Sequence, residues 1–218
     1  MIVAKNIDGV AVICIDDGKV NAFNFEMFDA VSNALRDAES ADAIVFSGRK
    51  GVFSAGLDLT IVKDTAERRD ALLEKTATLI LSLLEYPRPV IAAVTGHAMA
   101  LGALLLTACD YRIGAEGNFN IGVNATANGI ALAPPLLQLL QSRINPRFAH
   151  LVILGAEIFD PEGACEAGYL DALAPEISLK TAALDKAKQW AALPRDTFAA
   201  HKAIMTAPHI DALRKLGR

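Results

Sequence analysis

The stretch Gly96-His97-Ala98-Met99-Ala100-Leu101-Gly102-Ala103-Leu104-Leu105-Leu106-Thr107-Ala108-Cys109-Asp110-Tyr111-Arg112-Ile113 decides how this chain is read. It follows an apolar, β-branched run from Pro89 to Val94 that reads as a strand. A glycine turn comes next, then a helix of small residues beginning near Leu101, then a second strand from Tyr111. A buried helix that starts at such a turn aims its free backbone N–H groups at whatever sits above the turn. The result is a backbone-built site for a developing negative charge. A similar turn, Phe53-Ser54-Ala55-Gly56-Leu57-Asp58-Leu59, follows the strand Ala43 to Ser47. Two such turns can hold one oxyanion from two sides.

Outward from these turns, the pattern alternates strands with helices. Strands at about Ile2 to Asn6 and Val10 to Asp16 flank Asp8-Gly9, a hairpin signal. Phe25, Phe28, Val31 and Leu35 recur at helical spacing after Asn24. Ala66 to Leu84 reads as a long amphipathic helix, stopped by Tyr86-Pro87-Arg88-Pro89. Beyond Pro134 the chain reads as mostly helical, with starts at Asn145-Pro146 and Asp160-Pro161. Strand–helix–strand units followed by helices predict an α/β fold.

With 218 residues the chain is expected to form one domain over 1–218 with a substantial core. Hydrophobic residues make up 53%, yet no apolar run is long enough to span a bilayer. The surplus apolar surface is expected to go into subunit contacts. A net charge of −4 supplies no basic field to recruit nucleic acid or an acidic membrane. Cys14, Cys109 and Cys165 lie far apart in apolar surroundings and read as reduced structural cysteines. The start Met1-Ile2-Val3-Ala4-Lys5-Asn6 has no secretory pattern, so a cytoplasmic location is expected. The four histidines and three cysteines show no metal-ligand spacing, and neither a phosphate-binding loop nor a nucleophile elbow is present. Ser54 has no recognisable histidine partner.

The two turns resemble the signatures of the crotonase (enoyl-CoA hydratase/isomerase) superfamily. The first is F-x-A-G-x-D-[IL]; the second is G-x-[AC]-x-G-G-[GA]-x-x-L-x-x-x-[CS]-D-x-R-[IV], with Ala100 and Leu101 standing where its two leading glycines occur. The resemblance continues through Ile121-Gly122-Val123-Asn124-Ala125-Thr126-Ala127-Asn128-Gly129-Ile130-Ala131-Leu132-Ala133-Pro134 and through Ala156 to Asp171, in the family's order. It implies a spiral of ββα units over about 1–133 and a helical trimerisation region over about 134–218. Homotrimers or hexamers follow from it, as does a role in fatty acid metabolism. Coenzyme A would enter as part of an acyl-CoA substrate, with no separate cofactor and no metal.

By position in these motifs, the oxyanion donors implied are the backbone N–H groups of Leu57 and Leu101. The resemblance places CoA against Ala55, Gly56, Leu57, Asp58 and Leu59 and beside Ala22, and the acyl thioester against Leu101, Gly102 and Leu104. Lys19, Lys63 and Lys202 are candidates for the CoA phosphates. A hydratase of this family uses two glutamates, and their positions here fall on Leu104 and Ala125. Alanine cannot move a proton, and Asn124, Thr126 and Asn128 lack a useful pKa, although they can hold a water. The chain thus resembles a short subgroup that keeps one glutamate, with Ala125 in its place. Natural divergence toward a CoA-ester binder and a Glu→Ala change in an active enzyme both account for that alanine. A histidine is the side-chain type suited to proton transfer near neutral pH, but His97 reads more readily as a packed turn residue. Asp110 is expected to cap a strand or pair with Arg112, and Glu116 to lie near the surface.

Overall fold

The computed structural model describes residues 2–216. β1 (Ile2–Ile7) and β2 (Val10–Ile15) form an antiparallel hairpin whose turn residues Asp8 and Gly9 have φ of 51° and 85°. Two positive φ angles give the turn the twist that a short hairpin needs. The chain then passes through a two-residue strand, β3 (Ala22–Phe23), into α1 (Phe25–Asp37). Asn24 caps this helix by accepting a hydrogen bond from Met27 N–H, and Met27, Phe28, Val31 and Leu35 form its buried stripe.

A strand, a turn and helical segments follow: β4 (Ala43–Ser47), β5 (Gly51–Ser54), β6 (Gly56–Leu57), the short α2 (Leu59–Val62) and the long α3 (Ala66–Glu85). The pattern recurs as β7 (Val90–Val94), β8 (Gly96–Met99), α4 (Leu101–Leu106), β9 (Tyr111–Ala115) and β10 (Ile121–Gly122). The remainder holds α5 (Pro134–Arg143), α6 (Ala149–Ile153), α7 (Pro161–Ala167), the strand β11 (Ala172–Ala174), α8 (Leu179–Ala191) and α9 (Arg195–Arg214).

Six strands form the main sheet in the order β1-β2-β4-β7-β9-β11, parallel from β2 onward. Ile44, Phe46, Val90, Ala92 and Val94 face the main core, while Ala43, Val45, Ile91 and Ala93 face a second core closed by Leu179, Ala183 and Ala187 of α8. Burial on both faces is why β4 and β7 read as unbroken apolar runs. β10, β8 and β5 make a second sheet, and β3 pairs with β6 in a third. These two small sheets carry the two glycine turns.

The sheet does not end where the ββα region was expected to end, at about residue 133. Its edge strand β11 arrives from the helical half and pairs in parallel with β9. Three residues, Ala-Leu-Ala, are too few to show a period of two, so register against β9 places this strand.

Candidate active site

The site is built where β6 and the start of α4 touch. Ala22 pairs with Gly56 and Phe23 with Leu57 in a parallel register. Asp58 N–H donates to Phe23 O at 3.0 Å, so Leu57 N–H, one residue earlier, points away from β3. A Cβ built on Gly56 would lie 2.7 Å from the Ala100 Cβ and 3.0 Å from Leu101 N. The two turns are therefore in direct contact, and glycine at 56 is what permits it. Ala100 has no side-chain cap to offer, so the N–H groups at the start of α4 are left to a partner outside the helix. A Cβ on Gly102 would meet Ser54 O at 2.4 Å, which holds the same helix against the end of β5.

Asn21 locks this arrangement, a role the sequence reading missed. It is fully buried, with φ of 53°, and its Nδ2 donates to Ile15 O at 3.0 Å and Phe53 O at 3.1 Å. Its Oδ1 accepts from Asp17 N–H at 3.0 Å. Ser54 Oγ donates to Asn21 O at 2.8 Å and accepts from Gly56 N–H at 3.1 Å. The serine is thus a structural bridge. The available signal was an asparagine directly before a strand, since asparagine tolerates left-handed backbone and satisfies carbonyls locally.

Around this junction the structure gathers most of the expected positions. Ala55 is exposed and Ala22 half-buried, and Ala55 N–H donates to Val20 O at 2.9 Å. Asp58 caps α2, accepting from Thr60 N–H at 2.9 Å and Thr60 Oγ1 at 2.6 Å. The hydroxyl hydrogen bond holds its carboxyl below the ordinary carboxylate range. Leu59, the next residue, is exposed. Leu101 and Leu104 are buried one turn apart in the main core, and Leu57 and Ala125 pack against it.

Ala125 starts a 3₁₀ turn over Thr126–Asn128. Its segment is tied to α4 because Ala100 N–H donates to Gly122 O at 3.0 Å, and to the buried Tyr169, whose Oη accepts from Val123 N–H at 3.1 Å. Burial pushes the Tyr169 phenol up to about 12, so it stays protonated. Ala125 lines an apolar cavity of about 230 Å³ with Ile130, Leu132, Leu140 and Val152. Beside it, Asn124 Oδ1 is buried without a hydrogen-bond partner among the described residues.

Other expected residues fall elsewhere. His97 Nδ1 accepts from Asn120 N–H at 2.9 Å, and its ring stacks edge-on against Phe119. It is a packed residue of β8 rather than of a turn, on the strand face opposite the fully buried Ala98. Asp110 does not pair with Arg112. Its Oδ2 accepts from Val90 N–H at 2.8 Å and from Lys202 Nζ at 2.7 Å. The Arg112 fork instead grips both oxygens of Asp171, at 2.8 and 2.6 Å, and Gly168 O. Lys202 is therefore buried in an ion pair and unavailable to a CoA phosphate. Lys19 and Lys63 are exposed, one before β3 and the other at the end of α2 in the chain. Glu116 is exposed, and all three cysteines are free thiols.

The family model for enoyl-CoA hydratase/isomerase matches residues 5–216. The chain belongs to the enoyl-CoA hydratase/isomerase family. It is 32% identical to the human mitochondrial enoyl-CoA delta isomerase 1 over 203 residues, covering 90% of this chain and 67% of that protein. Its fold superposes on an enoyl-CoA hydratase/isomerase family protein from Pseudomonas syringae with a TM-score of 0.95 and 34% identity, over 98% and 94% of the two chains. A human mitochondrial delta3-delta2-enoyl-CoA isomerase gives 0.94 and 28%, over 98% and 86%. The α/β architecture is thus the crotonase fold of this family, and among the described residues no helix is long and apolar enough to cross a membrane.

Proposed function

We propose that this member of the family binds acyl-CoA thioesters and polarises their carbonyl between the N–H groups of Leu57 and Leu101. The observation that carries this reading is the close approach of Gly56 to Ala100 and Leu101, which brings the backbones of the two turns together. Donors fixed before the reaction stabilise an enolate at no reorganisation cost, and one such donor is worth roughly 10²–10³ in rate. Coenzyme A would run along Ala22 and the segment Ala55 to Leu59, with the exposed Lys19 and Lys63 as candidates for its phosphates. The acyl chain would pass Gly102 and Leu104 toward the cavity beside Ala125. Relatives named as enoyl-CoA isomerases support an enoyl- or β-hydroxyacyl-CoA substrate, isomerase or lyase chemistry, and a place in fatty acid metabolism.

One observation favours a second reading. Leu104 and Ala125, the positions of the family's proton carriers, are both apolar, and among the described residues no carboxylate lines the cavity at Ala125. On this reading the protein is a CoA-ester binder without turnover, or the Glu→Ala form of a single-glutamate enzyme. Calorimetric titration with crotonyl-CoA and acetoacetyl-CoA tests the shared premise, and no binding at millimolar ligand would overturn both readings. Turnover above the solvent background with pure protein then separates them, rejecting the non-catalytic one.

A further inference from the structure

A second cavity, of about 510 Å³, opens between α9, α8, α5 and the end of α4. It lies away from the candidate active site: α4 starts at Leu101 and ends at Leu106, about 9 Å along its axis, and Thr107 to Asp110, beyond that end, line this cavity. Leu84, Trp190 and Phe198 supply apolar walls, and Arg143 supplies charge. That charge feels Asp171 and Asp110 at a distance but makes no ion pair among the described residues. Arg112 is paired with Asp171 and Lys202 with Asp110, which leaves Arg143 as a third cation with no carboxylate partner among the described residues. Among the described residues its Nη2 reaches only the carbonyls of Cys109 and Asp110, at 3.0 and 3.5 Å, and its buried Nε has no acceptor. Burial drives the Cys109 thiol up to about 12, so it stays neutral and cannot serve as the counter-ion. Burial and then the Arg143 charge hold the His209 imidazole below its ordinary range, so at neutral pH it adds no second cation.

A partly buried guanidinium with spare donors, at the wall of an apolar cavity of ligand size, calls for one anionic head on an apolar body. We propose that this cavity binds an amphipathic monocarboxylate, with the carboxylate on Arg143 and the apolar portion against Trp190 and Phe198. Trp190 is the only tryptophan in the chain, so its fluorescence reports this cavity alone. Octanoate titrated into the unaltered protein should change Trp190 emission saturably, and 1-octanol, which has the tail without the charge, should bind at least tenfold more weakly. Arg143→Gln should weaken octanoate by about 10- to 100-fold, and Arg143→Lys should retain part of the affinity. Saturating crotonyl-CoA should leave octanoate binding unchanged. No saturable change, equal binding of octanoate and octanol, an unaffected Arg143→Gln, or displacement by crotonyl-CoA would each overturn the proposal. The octanoate–octanol comparison needs no variant, so it decides even if a substitution at 143 prevents folding.

Discussion

Ala100 holds φ 51° and ψ −117°, a backbone region in which an L side chain crowds its own chain and glycine does not. It stands where the family signature has a glycine, so the sequence carries a strained residue at the mouth of the proposed oxyanion site. Such strain costs about 1–3 kcal/mol, and replacing alanine by glycine gives back about 0.4–1 kcal/mol in unfolded-chain entropy. Ala100→Gly is therefore expected to stabilise the protein by about 1 kcal/mol and raise the thermal midpoint by about 2–4 °C, measured by calorimetry. A lowered midpoint would show that the Ala100 methyl contributes more through packing on Gly56 than its backbone costs. The departure from the signature was legible in the sequence; that residue 100 keeps the glycine-like conformation without a glycine was not. The lock made by Asn21 and the pairing of Asp110 with Lys202 were missed for one physical reason, while the strand cap expected of Asp110 is present at Val90 N–H. The partners in the lock and in the pair lie 32 and 92 residues away, and local pattern does not encode which distant group arrives.

At the scale of elements, the site depends on one close approach, that of β6 to the N-terminus of α4. Gly56→Ala would place a methyl 2.7 Å from the Ala100 Cβ at φ +98°. Strain and overpacking together predict a loss of about 2–5 kcal/mol, with thioester affinity reduced at least tenfold because Leu57 and Leu101 are pushed apart. Affinity unchanged in a folded Gly56→Ala protein would remove the two-donor arrangement from the proposed function. The Ala125 turn makes a complementary test. Ala125→Glu would set a carboxylate in an apolar cavity whose lining, among the described residues, holds no lysine or arginine, and desolvation should raise its pKa toward neutrality, which suits a general base. With Leu104 still apolar, there is no second carboxylate to position water. Exchange of the α-proton or double-bond isomerisation should therefore rise by about 10²–10⁴-fold, more than any hydration. Deuterium uptake into an enoyl-CoA, read by mass spectrometry, measures this. A variant that folds, binds the thioester and exchanges no faster would mean that residue 125 does not face the α-carbon. These elements were well marked in sequence, because capping residues, proline stops and glycine turns are local signals. α1, α3, β4 and β9 begin within a residue of where the pattern puts them.

The whole molecule shows what sequence could not arrange: the strand order β1-β2-β4-β7-β9-β11, the edge strand from the helical half and the burial of both sheet faces. Each depends on which segments meet, whereas the overall α/β class follows from the alternation of local patterns. The apolar surplus noted from composition remains visible at this scale. Leu151 is 49% and Leu154 66% exposed on the α6 segment, next to the cavity at Ala125, and a monomer would keep that face in water. The α5–α6 region lies within the segment, about 134–218, that the family resemblance implies for subunit contacts. We propose that copies of the chain bury this face against one another in a homotrimer, which multi-angle light scattering should record at about three times 23.1 kDa at micromolar concentration. Leu151→Glu would place a charge in each of three symmetry-related contacts, so one substitution acts three times and should shift the population toward monomer. Leu151 does not line the cavity at Ala125, so thioester binding by that monomer should survive if each site is complete within one chain. A single 23.1 kDa species from the unaltered protein would overturn the assembly, while trimers unaffected by Leu151→Glu would move the contact to another face.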